Sequence, residues 1–226
     1  KNWSHLFNLQ YSSTTDLDRF DKLNDQSGGF PKFEEWYYGP QKRFLSSASS
    51  QYNKKHKLFD EFNNVASFQV FEESRHSKRF GSDISERFEN VLVFGNTTDF
   101  IKKLGYHSFN YGLDFQNNLV ESTANQGTPT RYADGGSSMQ LFSVYGQYKM
   151  PYGLGSNYLS AGVRFNYSGL QARFEDTASY SLPFNEINVQ NQAITASLGW
   201  QTALNKSLSL GTSLSSGFRS PNVDDI

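Results

Sequence analysis

Hydrophobic and polar residues alternate over long stretches of this chain, most clearly from Tyr106 to Val120. The apolar positions there are Phe109, Tyr111, Leu113, Phe115 and Leu119, and the polar ones are Ser108, Asn110, Gly112, Asp114, Gln116 and Asn118. Successive side chains of a β-strand point to opposite faces, so the pattern predicts a strand with one apolar and one polar face. The alternation is at least as long as the roughly 9–11 residues that cross a bilayer, whereas globular strands average nearer 5–6.

The same pattern predicts nine strands along the chain. Their expected bounds are Trp3–Ser12, Lys42–Tyr52, Asn64–Ser74, Glu86–Ile101, Tyr106–Val120, Ser138–Met150, Asn157–Phe174, Asn191–Leu204 and Ser207–Phe218. The register of the fourth strand stays open, because Val91, Leu92, Val93 and Phe94 are apolar on both faces. Polar stretches between the strands are expected to be loops, and they are Thr14–Gln41, Glu121–Gly136 and Glu175–Val189.

The lengths of the connections alternate. The connections near residues 54, 103, 153 and 205 are short, and those near 28, 80, 129 and 182 are longer. The short connection near 153 is the turn Pro151–Ser156. Outer-membrane β-barrels combine short periplasmic turns with long extracellular loops in this way, whereas a Greek-key sandwich has no reason to. We therefore expect nearest-neighbour pairing, with Tyr106–Val120 between the strands at 86–101 and 138–150. We also expect Leu159, Ala161, Val163, Phe165 and Tyr167 to face lipid, and Arg164 and Asn166 to face the lumen.

The composition is compatible with a membrane β-barrel but not with membrane-spanning helices. Only 36% of the residues are hydrophobic, and no apolar run approaches the roughly 20 residues that a transmembrane helix needs. Aromatic residues reach 16%, which suits the aromatic girdles of a barrel and equally an aromatic-rich β-sandwich such as a sugar-binding module. The Trp36-Tyr37-Tyr38 cluster is expected to pack in a loop or at a membrane interface, with a ligand surface as the alternative.

Charge and motifs exclude several function classes. The net charge of −1 does not favour nucleic acid, and the lack of cysteine excludes disulfides and thiolate metal sites. No G-x-S-x-G, H-E-x-x-H or P-loop motif is present, so we expect no enzyme, cofactor or metal site. The four histidines lack ligand spacing, and His76 is expected to be a solvated residue near an outward loop, with a haem-ligand or metal role as the less favoured alternative.

Four segments resemble TonB-dependent outer-membrane receptors, notably those of Bacteroidetes. The segment Ser216–Asp225, which contains Phe218-Arg219-Ser220-Pro221-Asn222, resembles a strand-ending phrase of that family, with Ser220 where alanine is commoner. The other three are Ala66–Arg75, which resembles a "YQxxEESR" segment, Arg131–Gly135 and Leu182–Phe184. The resemblance marks Phe218, Arg219, Pro221 and Asn222 as a family motif on the substrate pathway or, in the structural alternative, as a strand end with Arg219 paired inside the wall.

The resemblance implies a 22-stranded barrel, plugged by an N-terminal domain, in the outer membrane of a Gram-negative bacterium. Such receptors import a scarce ligand (ferric siderophore, haem, cobalamin or glycan) with energy from the TonB complex, which contacts an N-terminal box. We expect residues 1–226 to be an all-β, antiparallel up-and-down, partial barrel wall of about nine strands, excised from a longer protein and lacking plug and TonB box. The alternatives are a soluble, aromatic-rich β-domain that binds carbohydrate and, less favoured, a porin or adhesin barrel.

Overall fold

One large antiparallel β-sheet makes up most of the chain. The computed structural model describes residues 2–125, 127–153, 157–176 and 182–225. The strands are β1 (Trp3–Ser13), β2 (Leu17–Asp18), β3 (Gln26–Ser27), β4 (Phe30–Pro31), β5 (Phe33–Tyr38), β6 (Lys42–Asn53), β7 (Glu61–Arg79), β8 (Ile84–Leu104), β9 (His107–Ala124), β10 (Ser137–Pro151), β11 (Tyr158–Arg173), β12 (Glu186–Ala203) and β13 (Ser209–Ser215). A four-residue helix, α1 (Phe20–Leu23), and a 3-10 turn at Val223–Asp225 complete the described elements, and β3 and β4 pair only with each other.

The sheet has up-and-down topology. Its strand order is β1-β6-β7-β8-β9-β10-β11-β12-β13, and all these neighbours pair antiparallel. The nine predicted strands correspond to β1 and β6–β13, and the predicted pairing of β9 with both β8 and β10 is confirmed. Within the described residues β1 and β13 do not pair with each other, so the sheet is open at both edges.

Residues 14–41 are not wholly a loop, contrary to the prediction. Strand β6 pairs with residues 61–72 of β7, and β5 pairs with residues 75–79 of the same strand. Strand β5 therefore extends the line of β6, with a bulge at residues 39–41 between them. Ser74 holds this bulge, because its carbonyl accepts the Gly39 N–H at 2.9 Å and its hydroxyl donates to the Gly39 carbonyl at 2.6 Å. The pairing lengthens β7 and β8, so the connection near residue 80, expected to be longer, is only residues 80–83.

Other bounds also differ from the prediction. Strand β13 spans Ser209–Ser215 rather than Ser207–Phe218. Strand β9 continues to Ala124, inside the expected loop Glu121–Gly136, and β12 begins at Glu186, inside the expected loop Glu175–Val189. The pairing of Glu186 with Arg173 shows that β11 supports this earlier start of β12. Residues 177–181 of that loop and residues 154–156 of the predicted turn lie outside the described residues.

Side-chain contacts that span several strands identify the concave side of the sheet. Arg164 on β11 reaches across β10 to Asp114 on β9, with 2.5 Å between Nη2 and Oδ2. Tyr145 on β10 likewise crosses β9 to bond Asp99 on β8. We call this side the inner face and the opposite side the outer face. The open register of β8 is thereby resolved, with Val91 and Val93 inside and Leu92 and Phe94 outside.

The outer face is covered by large apolar side chains that remain exposed. They include Phe7, Leu9, Phe44, Phe68, Phe94, Leu113, Leu119, Phe142, Val144, Val163, Phe165, Ile194, Leu198 and Leu214. The small buried core lies elsewhere, at one end of the sheet, where Ala133, Ala172 and Phe174 pack together with Leu182 and Ile187. None of the described helices is both long enough and apolar enough to span a membrane.

Gly112 on β9 leaves the space through which Tyr145 reaches Asp99. A Cβ at Gly112 would meet the Thr98 carbonyl oxygen and lie 2.9 Å from a Tyr145 ring carbon. We expect Gly112→Ala to lower the free energy of unfolding by about 1–3 kcal/mol, because overpacking displaces the tyrosine. Denaturant titration in detergent micelles measures this. Gly211→Ala is the control, since the nearest atom to its Cβ is 3.8 Å away; an equal loss in both variants would contradict the explanation.

Candidate functional site

The middle of the inner face carries a polar network across three strands, β9, β10 and β11. Arg164 donates to Asp114 and to Ser143 Oγ, and its Nε donates to Asn166 Oδ1 at 3.0 Å. Arg164 and Asn166 lie on the opposite face of β11 from Val163 and Phe165, as the alternation predicts. A hydrated or polar setting therefore suits this side of the sheet.

A groove of about 670 Å³ runs along this part of the inner face. Its walls come from β7 to β11 and from the segment that follows β13. The polar lining includes Ser67, Thr97, Asp114, Gln116, Ser143, Arg164 and Asn166. Small hydroxyl and amide groups beside one ion pair can hydrogen-bond a polar ligand in many orientations but do not form a catalytic constellation.

Charged residues cluster at the end of the inner face that carries the longer connections, which we call the upper end. Glu73 accepts from Arg75 Nη2 at 3.0 Å and lies 3.6 Å from Arg131 Nη1. Glu89, opposite Glu73 in the ladder, is only 3% exposed, and its carboxylate oxygens lack a hydrogen-bond partner within the described part of the chain. The burial of Glu89 was not evident from the sequence, because it depends on the pairing of β7 with β8 and on the charged residues around it.

The aromatic cluster at Trp36–Tyr38 lies on β5 rather than in a loop. Tyr38 and Trp36 meet edge to face at 4.9 Å, and the Arg19 guanidinium lies over both rings at 5.0 and 5.3 Å. Arg19 also donates to Asp21, and this bond lowers the pKa of the Asp21 carboxyl to about 2. Arginine therefore covers these ring faces, which favours the packing role over an open ligand platform.

His76 is buried, which corrects the expectation of a solvated histidine. It is 8% exposed, stacks on Tyr37 at 4.6 Å and lies 3.2 Å from Glu86 Oε1. The pairing of β5 with β7 covers this position with Tyr37, and no such pairing was foreseen. Among the described residues no group of three or more acidic, histidine or cysteine side chains could hold a metal ion.

The predicted motif residues Phe218, Arg219, Pro221 and Asn222 all lie beyond the end of β13. Phe218 and Arg219 line the inner-face groove instead of continuing the outer face of the strand or pairing within the wall. Arg219 pairs with Asp225 at 3.2 Å, inside the same segment, and its side chain is 82% exposed. Asn222 accepts the Asp224 N–H at 2.7 Å, which closes the turn. Strand β13 ends before these residues because the Ser216 hydroxyl accepts the N–H of Ala196 on β12 at 2.9 Å.

The segment 216–225, which we call the tail, is held to the sheet beyond Ser216 by Ser168 and to the connection between β9 and β10 by Arg131 and Tyr132. Ser168 on β11 donates to Ser220 at 2.6 Å, and Arg131 lies 3.4 Å from Asp224. Tyr132 also bonds Asp224, and burial together with this bond raises the pKa of the Tyr132 phenol to about 12. Arg131 thus links the tail to Glu73 on β7.

Two of the four segments that resemble the receptor family, Arg131–Gly135 and Leu182–Phe184, meet at the upper end. Ala133 belongs to the small core against which Leu182 packs. Asp134 fixes the start of the same connection, because its two carboxylate oxygens accept the Glu175 and Asp176 N–H groups at 2.8 Å each. The sequence marked these residues only by their resemblance to the receptor family. Their contact with each other could not be predicted from it, because it depends on the fold.

The exposed apolar residues of the outer face form a band across the sheet. Aromatic residues border this band at the lower end of the sheet, which is the end with the turns at 54–60, 105–106 and 204–208. The aromatic residues of this border are Trp3, Tyr52, Phe62, Phe100, Tyr111, Tyr148 and Trp200. Several of them touch: the ring centroids of Trp3 and Tyr52 are 4.7 Å apart, and those of Phe100 and Tyr111 are 5.1 Å apart. Seven strands thus contribute to one aromatic border.

The upper margin of the apolar band follows one row of paired residues over five strands. The members of this row are Tyr11, Phe44, Val70, Leu92 and Leu119 on β1 and β6–β9. The same row arrives at Asn188 on β12, where the band instead begins at Ile194. The margin is therefore level from β1 to β9 and falls by six residues between β9 and β12.

Comparison with known proteins identified no relatives: no protein-family model matches the chain, and no curated protein matches it significantly.

Arg131 should control how firmly the tail is held. Arg131→Ala removes its contacts with Glu73 and Asp224, each part-exposed, together worth about 1–2 kcal/mol, so we expect hydrogen exchange at residues 217–225 to rise roughly 5–30-fold. Arg173→Ala is the control, because the exposed Arg173 has no ion pair within the described residues. Unchanged exchange in Arg131→Ala would mean that other contacts hold the tail.

Proposed function

We propose that this chain forms part of the wall of an outer-membrane β-barrel of the TonB-dependent receptor type, which imports a scarce nutrient ligand. The observation that carries the proposal is the exposed apolar band with its aromatic border on the outer face. An outward-facing apolar band flanked by aromatic residues is the surface that outer-membrane barrels present to lipid.

The inner face supports the same proposal. A barrel lumen is polar, and the Arg164–Asp114 ion pair with its serine and asparagine neighbours suits a hydrated interior. The soluble carbohydrate-binding alternative needs its large apolar residues in a buried core. Those residues are exposed instead, with no second layer upon them among the described residues, and arginine covers two of the aromatic rings that a sugar would use.

The open edges favour a wall that is completed by further strands. Strands β1 and β13 each pair on one side only within the described part of the chain, and unpaired edges are avoided in membranes, since backbone groups there find no water. In this proposal the TonB complex contacts an N-terminal region of the full-length protein, and outer-membrane lipid covers the outer face. The motif residues Phe218 and Arg219 border the ligand pathway, because they line the inner groove.

A pair of arginine substitutions tests which face meets lipid. Val163 is 54% exposed on the outer face, and Val163→Arg should lower the folded fraction in lipid vesicles, because an arginine at the bilayer midplane costs roughly 2–4 kcal/mol. Ser197 is the matched control. It lies on the inner face of β12 opposite Gly162, at nearly the same depth, beside an open cavity of about 250 Å³.

The folded fraction is read from the gel mobility of unheated samples of the full-length protein. We expect Ser197→Arg to fold about as well as the parent, because its guanidinium stays hydrated. If Ser197→Arg proved the more damaging variant, the two faces would be assigned the wrong way round and the membrane proposal would fail.

A further inference from the structure

The apolar band is interrupted by polar side chains on one half of the outer face. One row of paired residues crosses eight strands, and its members are His5, Ser50, Asn64, Thr98, Leu113, Val144, Phe165 and Ile194. The row is polar on β1, β6, β7 and β8 and apolar on β9 to β12. Ser46 and Asn96 extend the polar half, with Ala48 and Ala66 between them. We call His5, Ser46, Ser50, Asn64, Asn96 and Thr98 the polar stripe.

The polar stripe lies within the apolar band and not at its margin. Phe62 and Phe100 lie below it, towards the aromatic border. On β7 and β8, Phe68 and Phe94 lie above its asparagines and threonine, in the row of Ser46. Lipid tails would therefore surround the stripe if nothing else covered it. Polar groups that meet hydrocarbon without partners are costly, so a uniform lipid contact accounts for the β9–β12 half of the row but not for the other half.

Hydrogen bonds inside the stripe satisfy only some of its groups. Asn64 Nδ2 donates to Asn96 Oδ1 at 3.2 Å and to Thr98 Oγ1 at 2.8 Å. His5 Nδ1 and Ser50 Oγ are 2.9 Å apart. Asn64 Oδ1 and Asn96 Nδ2 have no hydrogen-bond partner within the described residues, which leaves one acceptor and one donor facing outward.

We infer that the polar stripe is the contact surface for a second copy of this chain in the membrane, an inference that rests on the proposed membrane location. A two-fold contact must be self-complementary, and the stripe meets this condition. Its asparagines carry no charge and offer both donors and acceptors, so Asn64 Oδ1 of one copy can accept from Asn96 Nδ2 of the other.

The shape of the stripe also fits a contact between two sheets. Serine and alanine on β6 and alanine on β7 project little, so a second outer face can approach closely. Between transmembrane helices, small residues allow close approach and polar side chains hydrogen-bond across the interface, and the same physical reasons apply to two sheet faces. The four phenylalanines around the stripe would then form the apolar rim that excludes water from the new hydrogen bonds.

Cysteine cross-linking in cell membranes tests the inference. Residues 1–226 contain no cysteine, so Ser50→Cys, Asn64→Cys and Thr98→Cys can each be made singly in the full-length protein, with any cysteine outside these residues replaced by serine. After mild oxidation we expect at least one of them to give a product of twice the subunit mass, at least fivefold above Val144→Cys. Val144 is the matched control because it lies on the same row, in the apolar half, and is 46% exposed.

Two outcomes overturn the inference: no product of twice the mass above the control from any of the three variants, or a product whose mass identifies a different protein. A second measurement uses Asn64→Leu combined with Asn96→Leu, which should weaken dimerisation in detergent at least tenfold while the unheated gel mobility stays that of a folded barrel. An unweakened dimer in this variant also overturns the inference.

Membrane fractionation of the same cells separates this inference from the proposed function. A protein in the outer-membrane fraction without cross-links leaves the receptor proposal intact and removes the dimer. A protein found only in the soluble fraction removes the receptor proposal, whatever the cross-linking shows.

Discussion

The register of the antiparallel ladder is the constraint on which the rest of the structure depends. No second layer packs on the sheet within the described residues, so burial against another element does not fix the strands. Contacts between strands do so instead, since Arg164 reaches Asp114 only while Ser143 lies between them on the same face. A shift by one residue would turn Arg164 outward and bring Val163 inward, so every inner contact would be lost together.

Given that register, the two faces acquire different chemistry from alternate positions of the same strands. The outer positions form an apolar band, and the inner positions form a groove with one central ion pair and a charged upper end. The tail adds to the inner face, because Ser220 and Asp224 tie it to β11 and to Arg131. Polar and charged side chains are thereby concentrated on the inner face, apart from the apolar surface that the membrane proposal requires.

Sequence alone predicted the nine long strands, because a period of two is a local property of each segment. It missed β5, since Phe33–Tyr38 becomes a strand only by pairing with β7, some forty residues away. The burial of His76 follows from that pairing and could not be foreseen either. At the candidate site, the inward position of Arg164 was predictable from alternation. The Tyr145–Asp99 bond was not, because it depends on the curvature of the sheet and on the space at Gly112.

The row from His5 to Ile194 shows why the outer face needs more than lipid to explain it. All eight residues occupy equivalent positions of one ladder, so backbone geometry makes no distinction between Asn64 and Val144. Strand propensity does not account for the polar half either, because asparagine is depleted in strands. Under the membrane proposal, hydrocarbon suits the half on β9–β12. A second polar surface would supply partners to the half on β1 and β6–β8, where Asn64 Oδ1 and Asn96 Nδ2 have none within the described residues.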